Sequence, residues 1–242
     1  MAETNPADPV VTLAIESSNP SARTEVDSEP GVALGLVSAE SCEVLGIEPL
    51  GVGERHDDLL MPAIDRLFRN LGRTPRDIHR VAVSVGPGGY TGLRIATSAA
   101  NLIALATGCP VVAVPSAAVV ALAMAGRGPL VVCLASKAES AWVTRFDADG
   151  AMVGGGSLMS AADLNLLPSE TLVGDRFLPE SFRDAATSTG CDTAQPVFSP
   201  ESCLALSARF SPVQAGNAAP LYGREAEAVT RWRELRGKPG PS

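Results

Sequence analysis

The sequence predicts an α/β protein built as two successive copies of one order of elements: three antiparallel strands, a helix, a strand and a helix. Three observations carry this. Short β-branched apolar runs open the chain at Val10 to Ile15, Val32 to Val37 and Cys42 to Ile47. The same cadence returns at Leu130 to Leu134, Ala141 to Phe146 and Ala151 to Ser157. Between the two sets lies the breaker run Gly126-Arg127-Gly128-Pro129. A parallel core extended by an antiparallel edge, made twice, is the plan of the actin-like, sugar-kinase-like ATPase fold of the ribonuclease H-like class, with two mixed sheets. The expected organisation is a disordered N-terminus over 1–9, a first half over 10–126, a degenerate second half over 127–236 and a disordered tail over 237–242.

Each element has its own signal. In the first half, the turn-rich stretch Asn19 to Gly31 is Ser-, Pro- and Glu-rich and is expected to be a mobile loop. His56 to Leu71 places Leu60, Ile64, Leu67 and Leu71 at helical spacing and stops at Gly72, so it reads as an amphipathic helix. Val81 to Val85 is a buried strand, followed by the turn Gly86 to Gly92 and a helix to about Thr107, ended by Gly108 and Pro110. Val111 to Val114 is a strand and Ser116 to Ala125 a helix of small residues. In the second half, a short helix is expected near Ala161 to Leu166 and a strand at Thr171 to Val173, while Thr187 to Pro200 has little periodic signal.

Composition removes several function classes. With 242 residues and 45% apolar content the chain can bury its own core without covalent staples. The five cysteines (Cys42, Cys109, Cys133, Cys191, Cys203) are widely spaced with no CxxC pair, and read as buried thiols in a reducing compartment. The start of the chain lacks the basic and apolar regions of a signal peptide, and every apolar run is interrupted short of a membrane span, so a cytoplasmic protein is expected. A formal charge of −8 argues against unaided binding to a phosphate backbone. The one basic stretch, Arg224 to Lys238, is interleaved with Glu225, Glu227 and Glu234 and reads as a solvated helix face.

A strand, a glycine turn and a helix together make a recipe for anion binding, because backbone N–H groups and the positive end of the helix dipole converge there. Glu16, Gly86, Gly88, Gly89, Thr91 and Arg94 are the residues of such a site. The turn matches neither the P-loop, since Leu93 and Arg94 follow Gly92, nor the dinucleotide turn, since Thr91 takes its last glycine position. A structural purpose stands beside the phosphate one: glycines that allow positive φ and close approach, with Thr91 capping the helix. The following helix carries Arg94 as its only charge, and small residues (Gly92, Ala96, Ser98, Ala99, Ala100, Ala104, Ala106) occupy nearly every angle. One side should lie on the sheet, and the other suits close approach of a helix from this chain or from a partner.

Four blocks resemble the TsaB (YeaZ) family: Ala14-Ile15-Glu16-Ser17-Ser18, Arg55 to Pro62, Val83-Ser84-Val85-Gly86-Pro87-Gly88-Gly89-Tyr90-Thr91-Gly92-Leu93-Arg94-Ile95, and Pro220-Leu221-Tyr222-Gly223-Arg224. The resemblance is strong from about Arg55 to Ser116 and faint through most of the second half. It implies the duplicated actin-like fold and a non-catalytic scaffold role in making threonylcarbamoyladenosine beside the anticodon of tRNA. The partners it implies are a TsaD-like catalytic subunit, bound through the two first-half helices, and a TsaE-like ATPase, with a homodimer through the same helices and only indirect contact with tRNA. The candidate contact residues are then Leu59, Ala63 and Arg66 on the first helix and Gly92, Ala96, Ala99, Ala100 and Ile103 on the second. Arg at Ala99 or Ala100 is expected to abolish the complex while the monomer folds. No cofactor or metal is expected in the chain itself, with ATP or ADP at an interface of the complex left open.

The chain departs from the family pattern at Glu16, where Asp is usual, in the length of the 19–31 turn, and at Ala135-Ser136-Lys137, which stands in place of an Asp-Ala-Arg motif. The last change removes a carboxylate that an actin-like kinase would use to position magnesium or water. Three rival readings remain. A phosphotransferase would need acidic groups at the first strand of both halves. A hydrolase finds only His56 and His79, with no HExxH or G-x-S-x-G arrangement; His56 reads as a cap or surface residue and His79 as exposed. A stand-alone homodimeric module would use the same helices.

Overall fold

A computed structural model describes residues 8–19, 30–50 and 56–224, together with Trp232 and Arg236, the side chains of 56–58 excepted. The expectations about most of the N-terminus, about 20–29 of the long turn, about the side chains of His56, Asp57 and Asp58, about most of the basic stretch beyond Arg224 and about the 237–242 tail lie outside the described residues.

The first sheet opens with β1 (Val10–Glu16), β2 (Gly31–Val37) and β3 (Cys42–Pro49), paired antiparallel as their alternating and β-branched sequences require. The amphipathic helix α1 (His56–Asn70) follows, with Leu60, Ile64 and Leu67 buried, and leads to β4 (Arg80–Ser84). Next come the glycine turn, α2 (Tyr90–Thr107), β5 (Val111–Val114) and α3 (Ser116–Ala123). β4 lies parallel to both β1 and β5, in register from Thr12 opposite Arg80 to Ile15 opposite Val83. This register places the C-terminal ends of β1 and β4 side by side, so that the loop after Glu16 meets the glycine turn.

The second sheet repeats the plan with β6 (Leu130–Lys137), β7 (Ser140–Phe146), β8 (Met152–Ser160), β9 (Thr171–Gly174), α4 (Glu180–Thr189), β10 (Asp192–Ala194) and α5 (Pro200–Leu206). Its strand order, β10-β9-β6-β7-β8, is that of β5-β4-β1-β2-β3 in the first sheet. The copies differ where the sequence weakens. The helix expected near Ala161 to Leu166 is a single 3-10 turn, Ala161–Asp163, closed by a Ser160–Asp163 capping box; Leu164 and Leu166 pack into the core from the segment after it. The stretch from Thr187 to Pro200 is the end of α4, the short β10 and the start of α5, three pieces too brief to show a period.

The halves are interleaved. α3 packs on β6 of the second sheet, α5 packs on β1 and β2 of the first, and the two helices meet between the sheets in one apolar cluster. The chain then returns to the first half as β11 (Pro212–Val213), antiparallel to β5 at the sheet edge. All five cysteines are free; four are buried, and burial pushes the Cys133 thiol up to about 12. Cys42, the first residue of the edge strand β3, is exposed, where a buried thiol was expected. Among the described residues, no helix is long and apolar enough to cross a membrane.

Candidate functional site: the glycine turn and the outer face of the first-half helices

The turn from Gly86 to Gly89 is packed against the loop that leaves β1. Glu16 ends β1 with its carboxylate fully buried; Oε1 accepts hydrogen bonds from the Ser18 amide (2.8 Å) and the Ser18 hydroxyl (2.7 Å). Oε2 has no partner among the described residues. Burial raises the Glu16 pKa above the ordinary carboxylate value, against the lowering effect of the hydrogen bonds from Ser18. The Ser18 carbonyl accepts the Gly89 amide at 2.8 Å, and Asn19 Nδ2 donates to the Pro87 carbonyl at 3.2 Å. On the other flank, Ser116 Oγ accepts the Gly86 amide at 2.9 Å and shares a 2.7 Å hydrogen bond with Ser84 Oγ.

Two of the glycines are demanded by this packing. Gly86 has φ of 105°, in the region closed to most side chains, and a Cβ on it would lie 2.7 Å from the Leu221 carbonyl oxygen. At Gly88 a Cβ would overlap the Ser18 carbonyl oxygen outright and sit 2.8 Å from Asn19 Nδ2. Two of the amides that would cradle a phosphate are turned to protein: the Gly89 amide to Ser18, the Gly86 amide to Ser116. Thr91 does not cap the helix. The N-cap is Gly89, without a side-chain bond, and Thr91 is exposed as the second helical residue. Arg94 faces outward too, its guanidinium carbon 5.4 Å from the Tyr90 ring centroid and Nη1 3.1 Å from the Tyr90 hydroxyl.

Four of the small residues of α2, Ala96, Ala99, Ala100 and Ala104, face inward, while Ser98 and Ala106 are exposed. Ala96 and Ala100, with Ala63 of α1, are fully buried, and Ala99 is nearly so; they let α2 lie close to the sheet and to α1. A partner cannot touch Ala63, Ala96 or Ala100 while the chain keeps this packing. Leu59, Gly92 and Ile103 are half-buried, and exposed Arg66 is engaged with Glu48 of β3 at 2.5 Å. What α2 shows to solvent is a stripe the alanine pattern did not reveal. Tyr90 is 56% exposed, Leu102 66% and Leu105 60%, with Met61 of α1 at 55% beside them. Met61, Tyr90, Arg94, Ser98 and Leu102 line a groove of about 610 Å³. The signal lay in the leucines: on a helix whose alanines suffice to meet the sheet, the large apolar residues at other angles must point outward.

The second half contributes no matching carboxylate at the end of β6, where Ala135 and Ala138 take positive φ in the hairpin around Ser136 and Lys137. A buried acid missed from the sequence, Asp175 after β9, organises the turn into α4. Its Oδ1 accepts the Phe177 amide, and its backbone carbonyl accepts Arg183 Nη2 at 2.8 Å. Burial raises its pKa. His79 is exposed, its amide donating to the Val11 carbonyl; among the described residues no group of three His, Cys, Asp or Glu side chains could hold a metal.

Two half-repeats of one βββαβα order define a duplicated actin-like chain, with a glycine turn seated on its own neighbouring loop and an apolar face on the outside of α2. The family model described as TsaD, tRNA N6-adenosine threonylcarbamoyltransferase, matches residues 37–173. The chain is 34% identical over 104 residues to the tRNA threonylcarbamoyladenosine biosynthesis protein TsaB of Bacillus subtilis, covering 43% of this chain and 40% of that protein. It is 29% identical over 105 residues to the tRNA N6-adenosine threonylcarbamoyltransferase of Thermococcus kodakarensis, covering 43% of this chain and 32% of that one. The chain thus spans well under half the length of these curated relatives. Its fold is that of YeaZ from Pseudomonas aeruginosa, with a TM-score of 0.67 at 18% identity, covering 87% of this chain and 100% of that chain. The chain belongs to the TsaD family and is similar to its TsaB members.

Proposed function

We propose that this chain is the non-catalytic partner that supports a TsaD-type subunit in forming threonylcarbamoyladenosine on tRNA. The observation that carries the reading is the apolar stripe on α2, inside the matched 37–173 region. Leu102, Leu105, Tyr90 and Met61 stand in water there, the first two the most exposed of the described large apolar residues, and Met61, Tyr90 and Leu102 line one groove. A TsaD-type chain shares the fold by which this family is recognised, so it presents an equivalent helix pair. Two such pairs pack on each other across a local two-fold axis. The acidic balance of −8 leaves tRNA contact to the partner, in the cytosol, with a TsaE-type ATPase joining the assembly. ATP or ADP, in this reading, belongs to an interface of the complex, because Gly88 and Gly89 are committed to the Ser18 loop.

The same stripe favours a second occupant when the chain is alone: another copy of itself. Leu102→Asp places a charge at the centre of the stripe at a site two-thirds exposed, where the monomer tolerates it. The variant should keep its unfolding temperature and lose co-purification with the cell's TsaD-type protein, and any self-association seen by sedimentation should disappear with it. Undiminished co-purification would place the partner elsewhere.

A further inference from the structure

The segment that follows β11 crosses from one half of the molecule to the other and is fixed at every step. Asn101 of α2 holds Ala218 from both sides, Nδ2 donating to its carbonyl at 2.8 Å and Oδ1 accepting its amide at 3.2 Å. The Leu221 amide donates to the Val85 carbonyl at 2.7 Å, directly beneath the glycine turn. Tyr222 lies on Tyr90 with ring centroids 5.2 Å apart and planes 28° from parallel, at the head of α2. Gly223 passes between Pro87 of the turn and Trp142 of β7; a Cβ there would be 3.3 Å from each. Arg224 then grips the β6–β7 hairpin, donating from Nη1 to Ser140 Oγ (2.9 Å) and from Nη2 to the carbonyls of Lys137 (3.0 Å) and Ser140 (2.5 Å).

We infer that this strap, residues 220–224, completes the partner-docking face: Tyr222 is a contact residue for the TsaD-type chain and Arg224 the residue that positions it. The inference rests on the docking reading above. Tyr222 is 42% exposed although it stacks on Tyr90, so the pair offers a broad aromatic surface at the end of the stripe formed by Leu102, Ser98 and Arg94. Aromatic pairs of this kind, adjoining an apolar groove, are where binding energy concentrates in protein interfaces. Because its anchor lies on the second half and its stack on the first, the strap makes the docking face sensitive to the angle between the halves. This gives the second half a role in partner recognition although it contributes no helix to the face. Gly86 serves the same end, since any side chain there would strike the Leu221 carbonyl and lift the strap.

The test measures affinity of the full-length chain for the purified TsaD-type protein by calorimetry, for wild type, Tyr222→Ala, Tyr222→Phe, Arg224→Ala and Leu102→Asp. Tyr222→Ala should bind about 10- to 100-fold more weakly at an unchanged unfolding temperature, as truncation of an interface aromatic does. Tyr222→Phe should bind as wild type. Arg224→Ala should weaken binding similarly and speed hydrogen exchange at the Leu221 amide, the mark of a released strap that a distant packing defect would not give. If Tyr222→Ala binds within twofold of wild type while Leu102→Asp has lost binding, the strap proposal is overturned and the docking face stands. If Leu102→Asp also binds as wild type, both fall.

Discussion

Gly88→Ala is the sharpest probe of why the glycine turn exists. The added methyl would overlap the Ser18 carbonyl oxygen and approach Asn19 Nδ2 to 2.8 Å, and neither neighbour is the free end of a flexible side chain. Ser18 is fully buried and its own side chain is bound to Glu16, so its loop has nowhere to retreat. Relief requires the turn and the loop to separate. That strains or breaks the Gly89 amide bond to Ser18 and the Asn19 bond to Pro87, each worth about 1 kcal/mol net. Overpacking adds about 1–2 kcal/mol. The sum, about 3–4 kcal/mol, corresponds to a fall in unfolding temperature of roughly 6–16 °C for a chain of this size. Gly155→Ala is the control: it faces open space without positive φ and should leave the melting temperature unchanged. Calorimetry of the two variants against wild type decides it. A Gly88→Ala melting point within a degree or two of wild type would refute the claim that the turn is held closed on the β1 loop.

Two further outcomes follow from the buried groups. Glu16 has a folded pKa raised by burial, so its contribution to stability is fully present below the ordinary carboxylate pKa and is lost as pH rises through the raised value. Glu16→Gln should therefore gain stability relative to wild type between about pH 4.5 and neutrality in denaturant titrations; a wild type that gains on the variant over that range would show a carboxylate stabilised in place. Ala100→Arg, expected from sequence to spare the monomer, should instead unfold it, because Ala100 is fully buried. A folded Ala100→Arg monomer by circular dichroism would contradict the inward orientation of that face.

The first half was legible because its elements are long and regularly spaced. α1 shows its period in Leu60, Ile64 and Leu67, and α2 is bounded by a glycine turn before and Gly108 after. The second half was legible only in its strands. Its first helix has shrunk to one 3-10 turn, and α5 is seven residues long and derives its place from packing on the first sheet rather than from its own pattern. At the site, the glycine block identified the turn but not what fills it, because Ser18 and Leu221 lie far away in sequence. The alanines of α2 identified a helix with two covered sides, yet composition alone could not say which side is covered by the chain itself. Burial assigns Ala96 and Ala100 to the core and leaves Leu102 and Leu105 outside. The block from Pro220 to Arg224 stood out in the sequence, but the place of Tyr222 on Tyr90 could be found only once the return of the chain to α2 was known.

The most direct measurement is reconstitution of tRNA threonylcarbamoylation from purified components of the same cell, with and without this chain, and with Leu102→Asp in its place. The account predicts that the TsaD-type and TsaE-type proteins form little threonylcarbamoyladenosine alone, that this chain restores formation, and that Leu102→Asp does not. Full formation without the chain, or full restoration by the variant, would contradict a supporting subunit that works through the outer face of α2.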